Sequence, residues 1–550
     1  MVARHRSDCF CAALVALLAA GAALTAARAQ ELGTISFETS GAAAARPAFL
    51  EGVKALHSFQ FDEAAVAFRE AKALDAGFAL AYWGEAMSHN HPLWAQQDQA
   101  AAQKVLEALA PTREGRLAKA RLPKERALLE AIDLLYYGPA DKLARDRAYS
   151  EYLAELYARW PDDHEIATWY ALSLLGTVRP GDTGFRRQAL AASIVSKVYA
   201  ENPRHPGAAH FIIHSFDDPE HAPLGLAAAR AYADIAPAAA HALHMPSHIF
   251  VQLGMWSDVV ASNIEAYAAA VAVNERLKLP EGREDFHTLG WLSYANLMLG
   301  RFDEARANVE LAQAAAERNP DNAAIRDGYL GMRARVILET EQWEPIPLET
   351  PGAHAAHDTM PGMNMGAAGG GTWLFIAGMS AAKLGDTATA DTAVARLKAL
   401  REQTADAYRA KGVAILENEV AAVTQFARGQ RDAGLALARA AADLELTLSP
   451  PSGPPEPIKP ALELYGELLL AANRPAEAAS AFEQALLRTP KRTPSLLGLG
   501  RAATAAANVP TARRTYAELA AMPGAAPTSF AMSAARSWLT ANPEPTTATR

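Results

Sequence analysis

Seven of the chain's 15 histidines fall between Asn202 and Phe250: His205, His210, His214, His221, His241, His244 and His248. Two pairs, His210 with His214 and His244 with His248, are spaced i, i+4. On a helix that spacing puts both imidazoles on one face, about 6 Å apart. Two such pairs on neighbouring helices supply four nitrogens, enough for a closed tetrahedral metal site or an open one that keeps water. These four are the expected metal ligands, with Asp217 and Asp218 as possible carboxylate ligands. The pattern lacks the glutamate of the HExxH zinc signature. Taken singly, each histidine also has a plainer reading as a helix cap or the partner of a buried carbonyl, as in Asn-Pro-Arg-His-Pro and Met-Pro-Ser-His.

Two further groups could take part. His89 and His91 are i, i+2 and share no helix face, yet at a helix end before Pro92 they could converge on the same site and complete it. They could equally be the polar end of a proline-terminated helix. The segment 351–366 carries His354, His357, Met360, Met363 and Met365. Thioether and imidazole together suit copper, especially Cu(I), which favours copper over zinc or iron as the metal. The plainer reading is a linker with fortuitous methionines. No glycine-rich phosphate loop, nucleophile elbow or paired-carboxylate motif stands in a convincing context. Ser215 and Ser247 each adjoin a histidine, but adjacency in sequence is not triad geometry.

The elements that must position these residues are helices. Half of the 550 residues are hydrophobic and only 7% aromatic, with alanine abundant, a composition of packed helices rather than β-sandwiches. The length suits two or three domains or one stacked repeat array. Arg4 and Arg6, an apolar run from Phe10 to Leu24 and Ala27-Arg28-Ala29 have the order of a secretory signal peptide over residues 1–29. Both cysteines, Cys9 and Cys11, lie inside it. A mature chain would then hold metal without thiolate, and no later stretch has the length of a transmembrane helix. The mature formal charge would be −11, from 49 basic and 60 acidic residues. A mildly acidic surface without basic clusters argues against nucleic acid or anionic membrane as partner. The expected location is the periplasm, in soluble form.

A turn grammar recurs along the chain. Leu253-Gly254-Met255-Trp256 is matched by Leu299-Gly300-Arg301-Phe302, and Lys383-Leu384-Gly385-Asp386 repeats the turn. Ala472-Asn473-Arg474-Pro475 and Ala507-Asn508-Val509-Pro510 lie 35 residues apart, a period of helix-turn-helix repeats. In FDEAAVAFREAKALDAGFALAYWGEAM and RPAEAASAFEQALLRTPKRTPSLLGLGRAA the chain resembles the tetratricopeptide-repeat superfamily. The resemblance covers most of the mature chain. The His-rich block is also similar to one in exported bacterial proteins of that type with no assigned function. What it implies is an all-α solenoid of helical hairpins in which the first (A) helix of each pair lines a concave groove. His57, His89, His210 with His214, His241 with His244 and His248, and His287 then fall on A helices. The second (B) helices, expected at 63–74, 186–200, 257–273 and 304–316, carry none. The aromatic residues Tyr82, Trp83, Trp169, Tyr170, Trp291 and Tyr294 also gather on A helices, most of them as core.

The expected layout is a signal peptide over 1–29, an N-terminal array over 31–344, a Gly/Pro/Met/His-containing loop over 345–370, a C-terminal array over 371–522, and a helix remnant with a disordered tail over 523–550. Two functions remain open. One is an exported metalloprotein with copper or another divalent ion in a His-lined groove, for binding and delivery or for metal-dependent catalysis with His241 or His287 as proton carrier. The other is a metal-free scaffold docking a peptide or envelope protein in that groove.

Overall fold

The computed structural model describes residues 31–138, 141–182, 184–349 and 369–543. The expected signal peptide and the His/Met residues of 351–366 lie outside them. The described chain is all-α apart from one short antiparallel pairing of Asn90–His91 with Gln96–Gln97. Many helices follow one another across short turns and pack on the next, as in Arg46–His57 with Phe61–Leu74 and Trp256–Leu277 with Glu284–Met298. The expected second helices are present as Phe61–Leu74, Arg186–Glu201, Trp256–Leu277 and Phe302–Arg318.

The turn grammar has a single backbone cause. At the end of the preceding helix, one residue adopts the left-handed region and the next N–H reaches back five residues to a helical carbonyl. Gly254 (φ 64°) and Gly300 (φ 68°) occupy that position. Their successors donate to Phe250 O at 2.8 Å and Asn296 O at 2.9 Å. Asn473, Ala507 and Phe59 adopt the same conformation at φ 60°, 56° and 53°, where glycine would be unstrained.

The described residues divide into two compact units. Among the described residues the first comprises those within 31–177, Gln188–Ser215 and Ala227–Met245, the second those within Val178–Arg187, Phe216–Leu226 and 246–543. Each uses the same packing device. In the first, the fully buried Phe68 lies between Gly52 and Gly84, where a Cβ would come within 2.8 and 2.3 Å of its ring. In the second, Phe482 lies between Gly466 and Gly498, at 2.9 and 2.3 Å. A phenylalanine thus wedges between two helices that approach closely because they lack a side chain there.

Within the second unit one hydrophobic cluster includes Leu330 and Ile346 as well as Trp373, Leu416 and Phe482. The Gly/Pro-rich segment therefore interrupts a continuous core. A buried ionic network ties the same helices together. Arg492 donates to both oxygens of Glu339 at 2.7 and 2.8 Å and to Glu463 at 2.8 Å. Lys459 donates to Glu463 at 2.8 Å and Glu467 at 2.6 Å. Burial would raise the Glu463 carboxyl, but the Arg492 and Lys459 charges hold it at about 2. No helix among the described residues is long and apolar enough to cross a membrane.

Removing one member of such a network leaves the others buried and uncompensated. Arg492→Ala should cost about 3–5 kcal/mol in chemical denaturation, whereas Arg306→Ala, at an exposed pair with Asp303, should cost under about 1 kcal/mol.

Candidate metal centre

In the first unit three imidazoles converge. His210, His214 and His241 each offer a ring nitrogen within 4.8 Å of the other two. The ring centroids of His210 lie 4.7 Å from His214 and 5.1 Å from His241. His210 and His214 project from the helix Pro206–Ser215 with the expected one-turn spacing, and His241 comes from Ala240–His244. His210 and His241 are buried and His214 is half-buried.

The tautomer of His210 is fixed by what lies behind it. Its Nδ1–H donates to the backbone carbonyl of His57 at 2.6 Å. That carbonyl belongs to the last turn of Arg46–His57, where helix carbonyls lack an intrahelical donor and carry partial negative charge. A protonated Nδ1 makes Nε2 the lone-pair nitrogen, as in metal-bound histidines whose other nitrogen is held by an acceptor. Beside this bond, Phe59 N–H donates to Leu56 O and Gln60 N–H to Ala55 O, at 3.0 and 2.9 Å. This closes the turn with a phenylalanine where glycine is the usual residue. The Phe59 ring stands 4.4, 5.8 and 5.4 Å from the rings of His210, His214 and His241. Tyr232 stacks on His210 at 5.2 Å and donates to Ser58 Oγ at 3.1 Å, and burial raises its hydroxyl pKa.

A second cluster supports the first. Glu165, fully buried on the helix His164–Gly176, accepts His57 Nε2–H at 2.8 Å and lies 3.3 Å from His205 Nε2. His205 Nδ1 accepts the backbone N–H of Ala208 at 3.2 Å, which puts the His205 proton on Nε2 and makes the residue a cap of Pro206–Ser215. His57 donates to the carboxylate and His205 stands beside it. This geometry makes the cluster a structural bracket, although three ligand-type residues meet there. Burial lowers the His57 pKa from its usual 6.5. Burial would also raise Glu165, but His57 and His205 hold it at about 2. Gly207 is required alongside, since a Cβ there would sit 2.4 Å from His57 Nδ1.

The structure groups the expected ligands differently from the spacing argument. His241, expected as a proton carrier, joins His210 and His214. Pro246 lacks an N–H and divides the expected helix into Ala240–His244 and Pro246–Gln252. The i, i+4 spacing of His244 and His248 therefore spans a break. His244 is buried in the first unit with its ring 6.2 Å from His241, and His248 belongs to the second. There His248 Nδ1 meets Asp217 Oδ2 at 2.6 Å, and its ring lies 6.4 Å from that of His287. Asp217 thus stands behind an imidazole. Asp218 receives His221 Nδ1 at 2.9 Å and the N–H groups of Glu220 and His221, a turn-capping role. His91 stacks on Phe61 at 4.0 Å. Half-buried His89 has its pKa lowered by burial, and its carbonyl accepts the Asp98 N–H at 3.0 Å.

Sequence reasoning did not find Phe59 or Glu165. Glu165 is 108 residues from His57, and no spacing rule connects them. Phe59 carried a weak signal as the residue at a repeat turn that is not glycine.

No protein-family model matches the chain, and no curated protein matches it. Similar solved structures include yeast Tom70, at 12% identity over 90% of this chain and 95% of that chain with a TM-score of 0.28. The human IFIT1 dimer with m7Gppp-AAAA is 12% identical over 88% and 90%, with a TM-score of 0.34. A crystallised TPR domain is 11% identical over 85% and 99%, with a TM-score of 0.23. The likeness concerns the helical-repeat fold alone.

Two predictions arise from this centre. Below pH 6.5 the unfolded chain binds protons at His57 that the fold resists, and between pH 4.5 and 2 it binds one at Glu165 that the fold also resists. The unfolded state holds more protons in both windows, so stability falls as pH falls. Urea midpoints at pH 7 and pH 5 should differ in the parent, and differ less in His57→Gln. Phe59→Gly should relieve about 1–2 kcal/mol of left-handed strain but lose about 3–5 kcal/mol of buried ring packing. The expected net loss in urea denaturation is about 2–3 kcal/mol.

Proposed function

We propose that this chain is a helical-repeat metalloprotein that holds a divalent late transition metal, copper or zinc, on His210, His214 and His241. The observation that carries the reading is the buried convergence of three ring nitrogens within 4.8 Å, with His210 Nδ1 committed to a carbonyl. In a tetrahedral site with metal–nitrogen bonds of about 2.0–2.1 Å, ligand nitrogens lie about 3.4 Å apart. Closing the trio asks for ring movements of about 1 Å, within the reach of small χ adjustments. Three imidazoles suit copper and zinc alike and leave a fourth position for water or a cargo ligand. The aromatic wall of Phe59 and Trp94 keeps the surroundings apolar, which strengthens binding of a cation to neutral imidazoles in competition with water. His57, Glu165 and His205 set the position of the trio and are not ligands. The reading includes export to the periplasm, on the strength of the signal-peptide order of residues 1–29.

A metal-free scaffold for a peptide is the second reading. It is favoured by an apolar crevice in the first unit, lined by Leu56, Phe59, Phe61, Met87, Trp169 and Leu172 with Asp146 at its polar side. Such a surface suits an apolar side chain of a bound segment.

Elemental analysis of untagged protein separates the two. The parent should carry copper or zinc near stoichiometry, and His210→Ala/His214→Ala/His241→Ala should lose it. Added metal at about 100 times Kd should stabilise the parent by about 2.7 kcal/mol and the variant by less. Absence of metal from both, with melting temperatures indifferent to added ions, would leave the scaffold.

A further inference from the structure

The second unit contains an arrangement of its own that the trio does not use. Asp217 and His248 are joined at 2.6 Å, Oδ2 to Nδ1, with side-chain exposures of 9% and 12%. Asp217 comes from the segment after Ser215 and His248 from the helix Pro246–Gln252. His287, on Glu284–Met298, brings its ring to 6.4 Å from that of His248 at an interplanar angle of 32°. Trp291, one turn later, lies 4.5 Å from His248 and 5.7 Å from His287.

We propose that His248 and His287, with Asp217 hydrogen-bonded behind His248, form a second site for a divalent late transition metal. Three features support it. A proton on Nδ1 shared with the carboxylate makes Nε2 of His248 the lone-pair nitrogen, and a carboxylate behind a ligating imidazole raises its basicity. His248 and His287 each offer a ring nitrogen within 4.8 Å of the other's, and a tetrahedral metal would hold its ligand nitrogens about 3.4 Å and the ring centres about 5 Å apart, so closing the pair asks for ring movements of about 1 Å. The other Asp217 oxygen is buried and has no hydrogen-bond partner, so this carboxylate is incompletely compensated, and a cation held on His248 supplies the missing charge.

From the second unit's own helices the site draws two imidazole nitrogens, and His248 and His287 are partly accessible. It therefore binds more weakly than the trio, exchanges faster and completes its coordination with water. That character belongs to a loading or hand-off position for the ion, independent of whether the trio holds metal.

The test uses the full-length chain, untagged and stripped with chelator, titrated calorimetrically with zinc. In a His210→Ala/His214→Ala/His241→Ala background the protein should take up one equivalent. Adding His248→Ala/His287→Ala should abolish that uptake, and adding Asp217→Asn, which keeps both imidazoles, should weaken it about 10–100-fold. Circular dichroism before titration establishes that each variant is folded. Should the background variant fail to fold, the comparison is made in the parent, where His248→Ala/His287→Ala should remove one of two equivalents. Uptake undiminished by His248→Ala/His287→Ala, or no uptake in the folded background, overturns the proposal. Zinc uptake that survives in the background with no equivalent lost from the parent overturns the trio instead and leaves this site standing.

Discussion

A buried imidazole must find acceptors and donors for both of its nitrogens, and at His210 one of them is a helix-terminal carbonyl. The bond from His210 Nδ1 to His57 O satisfies a carbonyl that the end of Arg46–His57 would otherwise leave without a donor. It also fixes which nitrogen of His210 can act as a ligand. Everything nearby follows from keeping His57 in place. Glu165 holds its side chain, His205 shares that carboxylate while capping Pro206–Ser215, and Gly207 leaves room for the ring. The turn that ends the helix then sends Phe59 over the trio at the expense of a left-handed backbone. A residue held in such a conformation is a signature of local demand outweighing local preference.

Each unit has its own source of rigidity. Phe68 and Phe482 lock helices in each unit through paired glycines, and in the second unit Arg492 binds buried Glu339 and Glu463 from helices distant in sequence while Lys459 adds a second cation to Glu463. Such networks hold geometry more than they add stability. Precise placement of ring nitrogens needs a backbone that does not yield when the rings are brought together.

Much of this was legible in the sequence. The turns at Gly254 and Gly300, the second helices of the pairs and the shared face of His210 and His214 follow from local periodicity and backbone rules, which act over a few residues. The grouping of His241 with that pair was not legible, because it depends on the register between helices, set by packing. His244 and His248 stand on two helices rather than one face of a single helix, since Pro246 breaks the helix that the spacing presupposed, yet each still offers a ring nitrogen within 4.8 Å of the other's. Asp217 and Asp218 read as ligands by composition, yet their oxygens meet His248 and His221. Glu165 gave no signal because a buried carboxylate 108 residues from its partner looks, in sequence, like any acid in the first turn of a helix.

X-ray absorption at the metal edge of the copper- or zinc-loaded, untagged protein tests the central claim most directly. The account predicts a first shell containing three imidazole nitrogens at about 2.0–2.1 Å, with the outer-ring scattering of histidine. That signal should be lost in His210→Ala/His214→Ala/His241→Ala. A first shell of oxygen alone, or an imidazole signal unchanged in that variant, would contradict it.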